Sequence, residues 1–371
     1  MIYDVVIIGG GVAGLYAAET FIEKNSTMKI LVIEESNTLG KDAENLKLYN
    51  DDTLAMTWLT KYHASIITPD IKRKFWYQDQ LIDAPSIVCL DEIPRPHSYQ
   101  RSVFNFGEWL DMTMTDDFIF SSVCSYYLKN DIVDTLCNFR NNDNIAVVKW
   151  RSFFKGVVTY LKFKKVQIKK NTVIYSLSRK RNLWRCQIVS GSPIYAKHVI
   201  VTLSSKSTAD LLKHSDTIDF SEKLDLLSQI KTRSITKVVI VFKDNINIIE
   251  TILDSIDQLV CGPPFISISP IDRFQRTYVV NYNRDLMDIT TEDQIKLIQE
   301  TLIYKFVDIK IKIDKVFIYH HQMHTYEPLP QEYSSRNKFL GHLVHLNKNL
   351  TYIGETVALS HGSIESILQQ L

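Results

Sequence analysis

The chain has 371 residues, of which 45% are hydrophobic and 23% are charged, and this composition is typical of a globular protein long enough for two domains. Its formal net charge of +1 argues against nucleic acid or an anionic membrane as partner, because both favour a basic surplus. Five scattered cysteines without a CxxC pair are typical of a reducing compartment. With no recognisable signal peptide and no apolar run long enough to span a bilayer, the sequence predicts a soluble, cytoplasmic protein.

The first predicted elements, in residues 4–34, are a strand, a glycine-rich turn, a helix and a second strand. The turn carries Gly9, Gly11 and Gly14 with the spacing of the dinucleotide-binding fingerprint. The first glycine permits the tight turn, the second lets the backbone approach a pyrophosphate, and the third lets the helix pack on the strand. Strand, turn, helix, second strand and a following acid are all present, so the sequence predicts a nucleotide site.

Four further residues belong to this predicted site. Val12 and Ala13 begin the helix, where backbone amides and the helix dipole favour phosphate. Glu34 and Glu35 end the second strand, where an acid accepts hydrogen bonds from ribose hydroxyls. If the strand continues, Glu35 points to the opposite face, so we expect Glu34 to be the ribose acceptor.

The next segments are predicted from periodicity, in chain order. A helix is expected over residues 54–62, and residues 63–139 carry short elements without a chemical motif before a polar turn at 140–144. A helix over 150–161 precedes short alternating runs, which predict a strand, an antiparallel meander and a buried strand over 198–202. A group of lysines in this region fits a solvated face better than a binding patch: Lys162, Lys164, Lys165, Lys169 and Lys170.

The last part of the chain begins with a strong strand over residues 234–242, which contains Lys237. Further strands are expected at 266–268, 278–282 and 316–319, with an amphipathic helix over 291–304. The chain then returns through an apolar segment at 349–356 and ends in a helix over 362–370. No internal repeat is visible.

Three of these pieces together resemble the flavin-dependent amine oxidase superfamily, which includes monoamine and polyamine oxidases and protoporphyrinogen oxidase. They are residues 4–34, the strand and meander over 172–202, and the closing segment at 350–356 with its glycine-led helix. The resemblance implies bound FAD. It places Val173 at the adenine end, Gly354 and Glu355 at the ribityl-pyrophosphate region, and the helix start at the flavin ring; that start is Gly362, Ser363 and Ile364.

The resemblance also singles out Lys237 as the catalytic candidate. Residues 234–240 are similar to the family strand whose lysine holds a water against flavin N5. A buried lysine can have a lowered pKa and can position such a water. The alternative is a solvated lysine on an exposed strand face.

Several departures from the family pattern bear on the cofactor and substrate. The family's double glycine and arginine are reduced to Gly40 and Lys41, so Lys41 is the residual phosphate candidate. The paired tyrosines of monoamine oxidases are not matched, since Ser363 stands at one of these positions and residues 323–324 fall near the other. No cysteine lies near Met323, so FAD is expected to bind without a covalent bond.

Five histidines fall in one region and are a conceivable metal site: His320, His321, His324, His342 and His345. Their spacing matches no ligand motif and no carboxylate motif accompanies them, so no metal is expected. His324 or Tyr326 could instead line the substrate cavity, and ordinary packing or surface placement is the alternative for both.

The sequence therefore predicts an α/β fold with a Rossmann-like FAD-binding domain and a discontinuous α+β substrate domain. The first comprises residues 1–50, 150–212 and 339–371, and the second comprises 51–149 and 213–338. The resemblance implies oxidation of an amine-type small molecule by hydride transfer to flavin N5, with O2 as acceptor and H2O2 as product. Two alternatives stay open: a flavin oxidoreductase acting on a tetrapyrrole or isoprenoid, and an FAD-binding protein without amine oxidase activity.

Overall fold

Two β-sheets organise the part of the chain that the computed structural model describes. The described residues are 2–40, 43, 48, 52–67, 72–77, 80–83, 147–215, 218–228, 230–243, 245–261, 265–282, 290–325, 341–354, 357 and 364–371.

The helices and strands are numbered in chain order. The helices are α1 (Val12–Lys24), α2 (Thr53–Lys61), α3 (Trp150–Phe163), α4 (Ser205–Lys213), α5 (Ser221–Ser228), α6 (Ile248–Leu253), α7 (Thr291–Phe306) and α8 (Ile364–Leu368). The first ten strands are β1 (Ile2–Ile8), β2 (Ile30–Ile33), β3 (Ile66–Ile67), β4 (Arg73–Tyr77), β5 (Gln80–Asp83), β6 (Val147–Val148), β7 (Gln167–Lys169), β8 (Ile174–Lys180), β9 (Leu183–Ile188) and β10 (Ile194–Val201). The remaining strands are β11 (Lys231–Phe242), β12 (Gln258–Cys261), β13 (Phe265–Asp272), β14 (Thr277–Tyr282), β15 (Ile313–Thr325), β16 (His345–Asn347) and β17 (Leu350–Tyr352).

The first sheet has β1 at its centre and runs in the order β16-β17-β10-β1-β2-β7. β1 pairs in parallel with β10 and with β2, while β17 and β7 extend the parallel part on either side. The antiparallel β8 and β9 form a meander that joins β10. Strands buried on both faces are expected to be continuous apolar runs, and Ile30–Ile33 is buried throughout.

Helices cover both faces of this sheet, which gives it two hydrophobic cores. On one face α1, α2, α3 and α8 pack with side chains that include Leu15, Trp58 and Phe153. On the other face α4, α5 and the meander pack around side chains that include Trp184 and Tyr352. This arrangement is a three-layer α/β architecture with a nucleotide-binding topology.

The second sheet is mostly antiparallel and runs in the order β15-β11-β14-β13-β12-β4-β5. Val238, Ile240 and Phe242 of β11 are buried together with residues of α6 and α7, such as Ile249 and Leu302. One face of the sheet is therefore covered by helices and holds its own core.

The predicted elements agree with the structure in kind and differ in length. β11 begins at Lys231 and β15 spans Ile313–Thr325, so both are longer than the predicted strands. They pair in antiparallel register along nearly their whole length, and this pairing extends β15 through a polar, histidine-containing stretch that has no apolar alternation of its own. The final helix is described only over Ile364–Leu368.

Two helices, α2 and α5, pack on the first sheet although the sequence-based boundaries place them in the substrate domain. α2 falls within residues 51–149, yet Ala55, Trp58 and Leu59 are buried in the core that contains α1. α5 falls within residues 213–338, yet Leu227 is buried in the core on the opposite face of the same sheet. Both helices therefore cover the nucleotide-binding sheet.

A buried acid connects α1 to its neighbours. Glu19 accepts a hydrogen bond from the Trp58 indole at 2.7 Å. It also forms an ion pair with Lys61 at 2.5 Å, and Lys61 forms a second ion pair with Glu23 at 2.6 Å. Burial opposes the charge on Lys61, but the two carboxylates outweigh it and hold the Lys61 pKa above its usual value. A buried carboxylate is tolerated here because it is paired and hydrogen-bonded.

A second buried acid connects α8, at the end of the chain, to α2. Glu365 of α8 accepts hydrogen bonds from the backbone amides of Leu54 and Ala55 at 3.3 and 2.8 Å. These amides belong to the first turn of α2, where intrahelical partners are missing. Glu365 thus serves as a cap supplied from 310 residues away along the chain.

No helix in the described part of the chain combines the length and apolar character that a bilayer crossing requires.

We expect Glu365→Ala to lower the free energy of unfolding by about 1–3 kcal/mol, because two amides in the first turn of α2 lose their acceptor. Urea denaturation followed by circular dichroism measures the effect. Glu222→Ala, on an exposed part of α5, is the matched control and should change stability by less than about 0.5 kcal/mol. Equal effects from the two substitutions would contradict the capping role.

Candidate cofactor site

The candidate site lies at the carboxyl ends of the parallel strands. β1, β2, β10 and β17 all end at this edge, where they are followed by Gly9, Glu34, Thr202 and Ile353. Ligands of open α/β sheets bind at this edge because loops of neighbouring strands converge there. Backbone hydrogen bonds connect the loops: Gly9 N–H donates to the Ile33 carbonyl at 2.8 Å and Ile353 N–H to the Val201 carbonyl at 2.9 Å.

Each predicted glycine of the turn after β1 has its own structural role. Gly9 has φ +117°, a conformation that favours glycine. A Cβ at Gly9 would collide with Thr202, and one at Gly14 would collide with the Gly9 carbonyl oxygen. A Cβ at Gly11 would meet no atom within 4 Å. The protein's own packing therefore requires glycine at 9 and 14, and Gly11 faces open space that a ligand can fill.

The N-terminus of α1 faces the same opening. In the part of the chain that the structure describes, no side chain caps this helix at Gly11, and its first turn contains no acid. The early amides, including those of Val12 and Ala13, lack intrahelical acceptors and carry the positive end of the helix dipole. An uncapped helix end beside an open glycine is suited to bind phosphate.

Glu34 is fixed beside this turn by two backbone amides. Gly10 N–H donates to its Oε2 at 2.8 Å and Ser36 N–H donates to its Oε1 at 2.9 Å. Each carboxylate oxygen has two acceptor sites, so both oxygens can still accept from ribose hydroxyls. Glu35 is exposed, whereas Glu34 is partly buried, which agrees with the expected difference in their direction.

The loop after Glu34 folds back over the glycine turn. Gly40 N–H donates to the Gly10 carbonyl at 3.0 Å, and Leu39 is buried against Gly10. A Cβ at Gly40 would collide with the ring of Phe154, so this position also requires glycine. Lys41, the residual phosphate candidate, lies outside the described residues.

Val173 is the residue for which the resemblance implies an adenine contact. Its neighbour Thr172 donates its backbone N–H to the Glu34 carbonyl at 3.0 Å, and Asn171 N–H bonds to the Ser36 carbonyl at 3.2 Å. Val173 is 43% exposed, so an apolar side chain stands open to solvent next to the ribose-binding candidate. An adenine ring can cover such a side chain.

The turn after β17 completes this edge of the sheet. Gly354 has φ +140° and approaches Ala13 of α1. The side-chain amide of Gln370 clamps it, with Oε1 accepting from Gly354 N–H at 2.9 Å and Nε2 donating to the Gly354 carbonyl at 3.1 Å. Ile364 is fully buried, so its side chain belongs to the core and only its backbone could face a ligand.

Three other cofactor candidates fall outside the described residues: Glu355, Gly362 and Ser363. Their predicted roles stay predictions.

Thr202 and Gln370 contribute to the site and were not predicted. The Thr202 hydroxyl lies 3.1 Å from the carbonyl oxygens of both Ile8 and Gly9, so it fastens β10 to the glycine turn. The only signal in the sequence was a polar residue at the end of a buried strand, next to the predicted turn in space but 193 positions away from Gly9. For Gln370 there was no local signal.

The catalytic candidate Lys237 lies on β11 of the second sheet. Its backbone pairs with Asn281 of β14 and Tyr319 of β15. Val238 and Ile240 are fully buried and Val239 is partly buried, so the strand alternation places position 237 on the face opposite the helix-covered core. The structure describes the backbone at Lys237, and its proposed role stays a prediction.

The substrate-lining candidates are only partly described. His324 pairs through its backbone with Thr232 near the end of β15, and Tyr326 lies outside the described residues. In the described ranges, no group of three histidine, cysteine or acidic residues has a metal-binding arrangement.

Comparisons with known proteins were made for sequence and for structure. No protein-family model and no curated protein sequence matches the chain. The structure is similar to putrescine oxidase, with a TM-score of 0.68 and 10% identity, covering 100% of this chain and 97% of that one. It is also similar to a protoporphyrinogen oxidase-like protein from Exiguobacterium sp. 255-15, with a TM-score of 0.66 and 14% identity, covering 98% and 97%.

The expected resemblance to the flavin-dependent amine oxidase superfamily is confirmed at the level of the fold. A third similar structure is a fatty acid isomerase from P. acnes that produces CLA, with a TM-score of 0.66 and 12% identity, covering 99% of this chain and 96% of that one. The mixed α/β architecture with a parallel sheet is therefore that of this group, and the reaction of this chain has to be inferred from its own residues.

We expect Gly11→Ala and Gly14→Ala to separate ligand binding from folding. Gly11→Ala should change the free energy of unfolding by about 1 kcal/mol or less, because its Cβ enters open space, and should raise the FAD dissociation constant about tenfold or more. Gly14→Ala should destabilise the fold by roughly 1–3 kcal/mol through the clash with Gly9. Thermal unfolding without FAD and fluorescence titration with FAD measure the two effects. Similar stability losses in both variants would contradict this assignment.

We expect Glu34→Ala to weaken FAD binding by roughly 1.5–3 kcal/mol, the range for hydrogen bonds to a charged group. The loss should include a looser glycine turn, because Gly10 and Ser36 lose their acceptor. Glu35→Ala is the matched control at the adjacent, exposed position and should leave affinity nearly unchanged. Titration with FAD compares the two, and equal effects would show that the end of β2 is misassigned.

Proposed function

We propose that the protein is an FAD-dependent oxidoreductase that oxidises an amine-type small molecule. The observation that carries this proposal is the open position at Gly11, beside the uncapped N-terminus of α1 and next to Glu34. These features fit the pyrophosphate and ribose of a dinucleotide. The similarity of the fold to putrescine oxidase favours FAD over other dinucleotides.

The described residues would divide the binding of FAD among several contacts. The amides of Val12 and Ala13 would bind the pyrophosphate, Glu34 the adenosine ribose and Val173 the adenine ring. The turn at Gly354, held by Gln370 and packed near Ala13, would support the ribityl side, where Glu355 is the expected acceptor. No covalent attachment is proposed, because no cysteine is present near Met323.

When bound, FAD supplies the redox chemistry by accepting a hydride at flavin N5 and passing its electrons to O2, which leaves as H2O2. The contribution of the chain is binding, orientation and proton handling. We propose that Lys237 holds a water beside the reactive ring and that the substrate amine is bound as the neutral base, since an ammonium nitrogen has no lone pair to assist the departing hydride. His324 and Tyr326 are the proposed lining of the substrate cavity.

The proposed domain organisation assigns these roles to two parts of the chain. The Rossmann-like part, from residues 1–50, 150–212 and 339–371, would bind FAD, and α2 and α5 join it because they pack on its sheet. The remaining segments of 51–149 and 213–338, organised on the second sheet, would form the substrate side.

A second candidate reaction is favoured by the other similar structures. A protoporphyrinogen oxidase-like protein and a fatty acid isomerase have the same fold, so the substrate could be a tetrapyrrole, an isoprenoid or another apolar molecule that reacts at carbon. A protein that binds FAD without amine oxidase activity is the third possibility. The absence of a tyrosine pair at Ser363 and residues 323–324 in the sequence is consistent with both alternatives.

The purified protein is expected to be yellow and to release intact FAD on heat or acid denaturation. Colourless protein that takes up no added FAD would contradict the cofactor, and flavin retained on the denatured chain would contradict only the non-covalent binding. Anaerobic bleaching of the flavin absorbance by a panel of amines tests the reaction. Bleaching by porphyrinogens or polyenes but not by amines would support the second candidate, and no bleaching by any substrate the third.

We expect Lys237→Met to retain its fold and its FAD, and to slow the flavin half-reactions about tenfold or more. Methionine keeps the apolar stem and removes the charge and its three donors. Stopped-flow absorbance measures reduction and reoxidation separately. Lys315→Met is the matched control. Lys315 is an exposed residue of β15 whose backbone pairs with Val241, and Val241 shares a face of β11 with position 237. Unchanged rates in both variants would place Lys237 outside the reaction.

A further inference from the structure

Six exposed hydrophobic side chains lie at one end of the second sheet and are here called the apolar rim: Ile246, Ile271, Phe274, Tyr304, Val307 and Ile309. Phe274 is 100% exposed, Tyr304 86% and Ile309 83%. Isolated exposed apolar residues are common on soluble proteins. A concentration of six on neighbouring loops is uncommon and indicates an interaction surface.

The strand register brings these loops to the same end of the sheet. β11 ends where β14 and β15 begin, since Val241 pairs with Thr277 and Phe242 with Ile313. β13 ends there as well, because Asp272 also pairs with Thr277. Phe274 lies at the tip of the hairpin that joins β13 to β14.

Hydrogen bonds then hold the loops together. Arg276, from the hairpin, donates to the Asn245 carbonyl at 2.6 Å, next to Ile246. Asp308, between Val307 and Ile309, accepts from the backbone N–H of Ile248 at 2.8 Å. The rim is therefore built from three connected segments: residues 243 and 245–248, residues 271–276 with the end of β13, and residues 304–312 with the end of α7.

The acids and the lysines of the rim differ in whether they have a bonding partner. The acids that the structure describes in the rim are engaged internally: Asp308 accepts from two backbone amides, Asp272 from Gln275 N–H, and Glu250 pairs with Arg276. In contrast, four lysines have no carboxylate within salt-bridge distance among the described residues: Lys243, Lys305, Lys310 and Lys312. One exposed acid, Asp314, lies beside them. The rim thus combines exposed apolar side chains with a local positive charge.

We propose that the apolar rim docks the protein on an anionic lipid surface. Aliphatic and aromatic side chains enter the boundary between headgroups and acyl chains, and lysines around them attract anionic headgroups. The overall charge of +1, which argues against an anionic membrane when the chain is taken as a whole, does not describe the rim, because the attraction depends on the charges within a Debye length of the membrane.

A lipid surface fits the rim better than a protein partner does. Protein interfaces are enriched in arginine and depleted in lysine, whereas the cations of the rim that have no carboxylate partner among the described residues are lysines. The two arginines nearby have structural roles: Arg273 binds the carbonyls of Leu253 and Ile256, and Arg276 binds Glu250. Phe274, Val307 and Ile309 stand in turns and Tyr304 in the last turn of α7, which suits shallow insertion into a lipid layer.

Cosedimentation of the purified full-length chain with vesicles tests the proposal. We expect binding to phosphatidylcholine vesicles that contain phosphatidylserine to be about tenfold or more stronger than to phosphatidylcholine alone, and to weaken as salt rises. Phe274→Ser combined with Ile309→Ser should reduce it about tenfold or more, because both side chains would enter the lipid. Lys310→Gln combined with Lys312→Gln should reduce only the advantage of the anionic vesicles.

Phe163→Ser is the matched control. Phe163 is 79% exposed at the end of α3, among lysines but on the other sheet's helical layer, and its replacement should leave vesicle binding unchanged. Circular dichroism and flavin content show whether each variant is folded, independently of the proposed reaction. Absence of vesicle binding by the wild type, an equal loss with Phe163→Ser, or a rim-dependent dimer in light scattering without vesicle binding would each overturn the proposal.

Discussion

The close approach of α1 to the end of β1 is the constraint on which the rest of the cofactor site depends. Glycine at 9 and 14 allows the helix backbone to lie against the turn, and the Thr202 hydroxyl lies within hydrogen-bond distance of the turn carbonyls from the neighbouring strand. With the helix so placed, its uncapped amides point past Gly11 into open space. A wider turn would move those amides away from the sheet edge, and Glu34 could no longer share a ligand with them.

Glu34 resolves an electrostatic difficulty in binding an anion beside a carboxylate. Its oxygens accept from the amides of Gly10 and Ser36, and the first turn of α1 holds no acid. The carboxylate is therefore kept on the strand side, where ribose hydroxyls can donate to it, and the positive end of the helix dipole is left to the phosphates. In this way one site could bind both the hydroxyl groups of a ligand, which donate hydrogen bonds to Glu34, and its phosphate oxygens, which accept them from the helix amides.

Sequence reasoning succeeded where the chemistry is local and failed where it depends on distant pairing. The turn at residues 9–14 and the acid at 34 were predicted because glycine spacing and strand periodicity are contained in 31 consecutive residues. Thr202, Glu365 and Gln370 were missed, because each acts on a backbone group that only the fold brings close. The packing of α2 was not predictable for a similar reason: its amphipathic pattern shows that it packs, but its contacts with Glu19 and Glu365 come from distant parts of the chain.

The proposed cofactor site and the proposed catalytic residue lie on different sheets, and this separation limits what the fold alone implies. The glycine turn, Glu34 and Gly354 all follow strands of the parallel sheet, whereas Lys237 lies on β11 of the antiparallel sheet. Residues directly opposite in antiparallel strands share a face, so Asn281 and Tyr319 are the register neighbours of Lys237. The fold is shared with an oxidase and with an isomerase, so the side chains of this chain, and not its fold, have to decide its reaction.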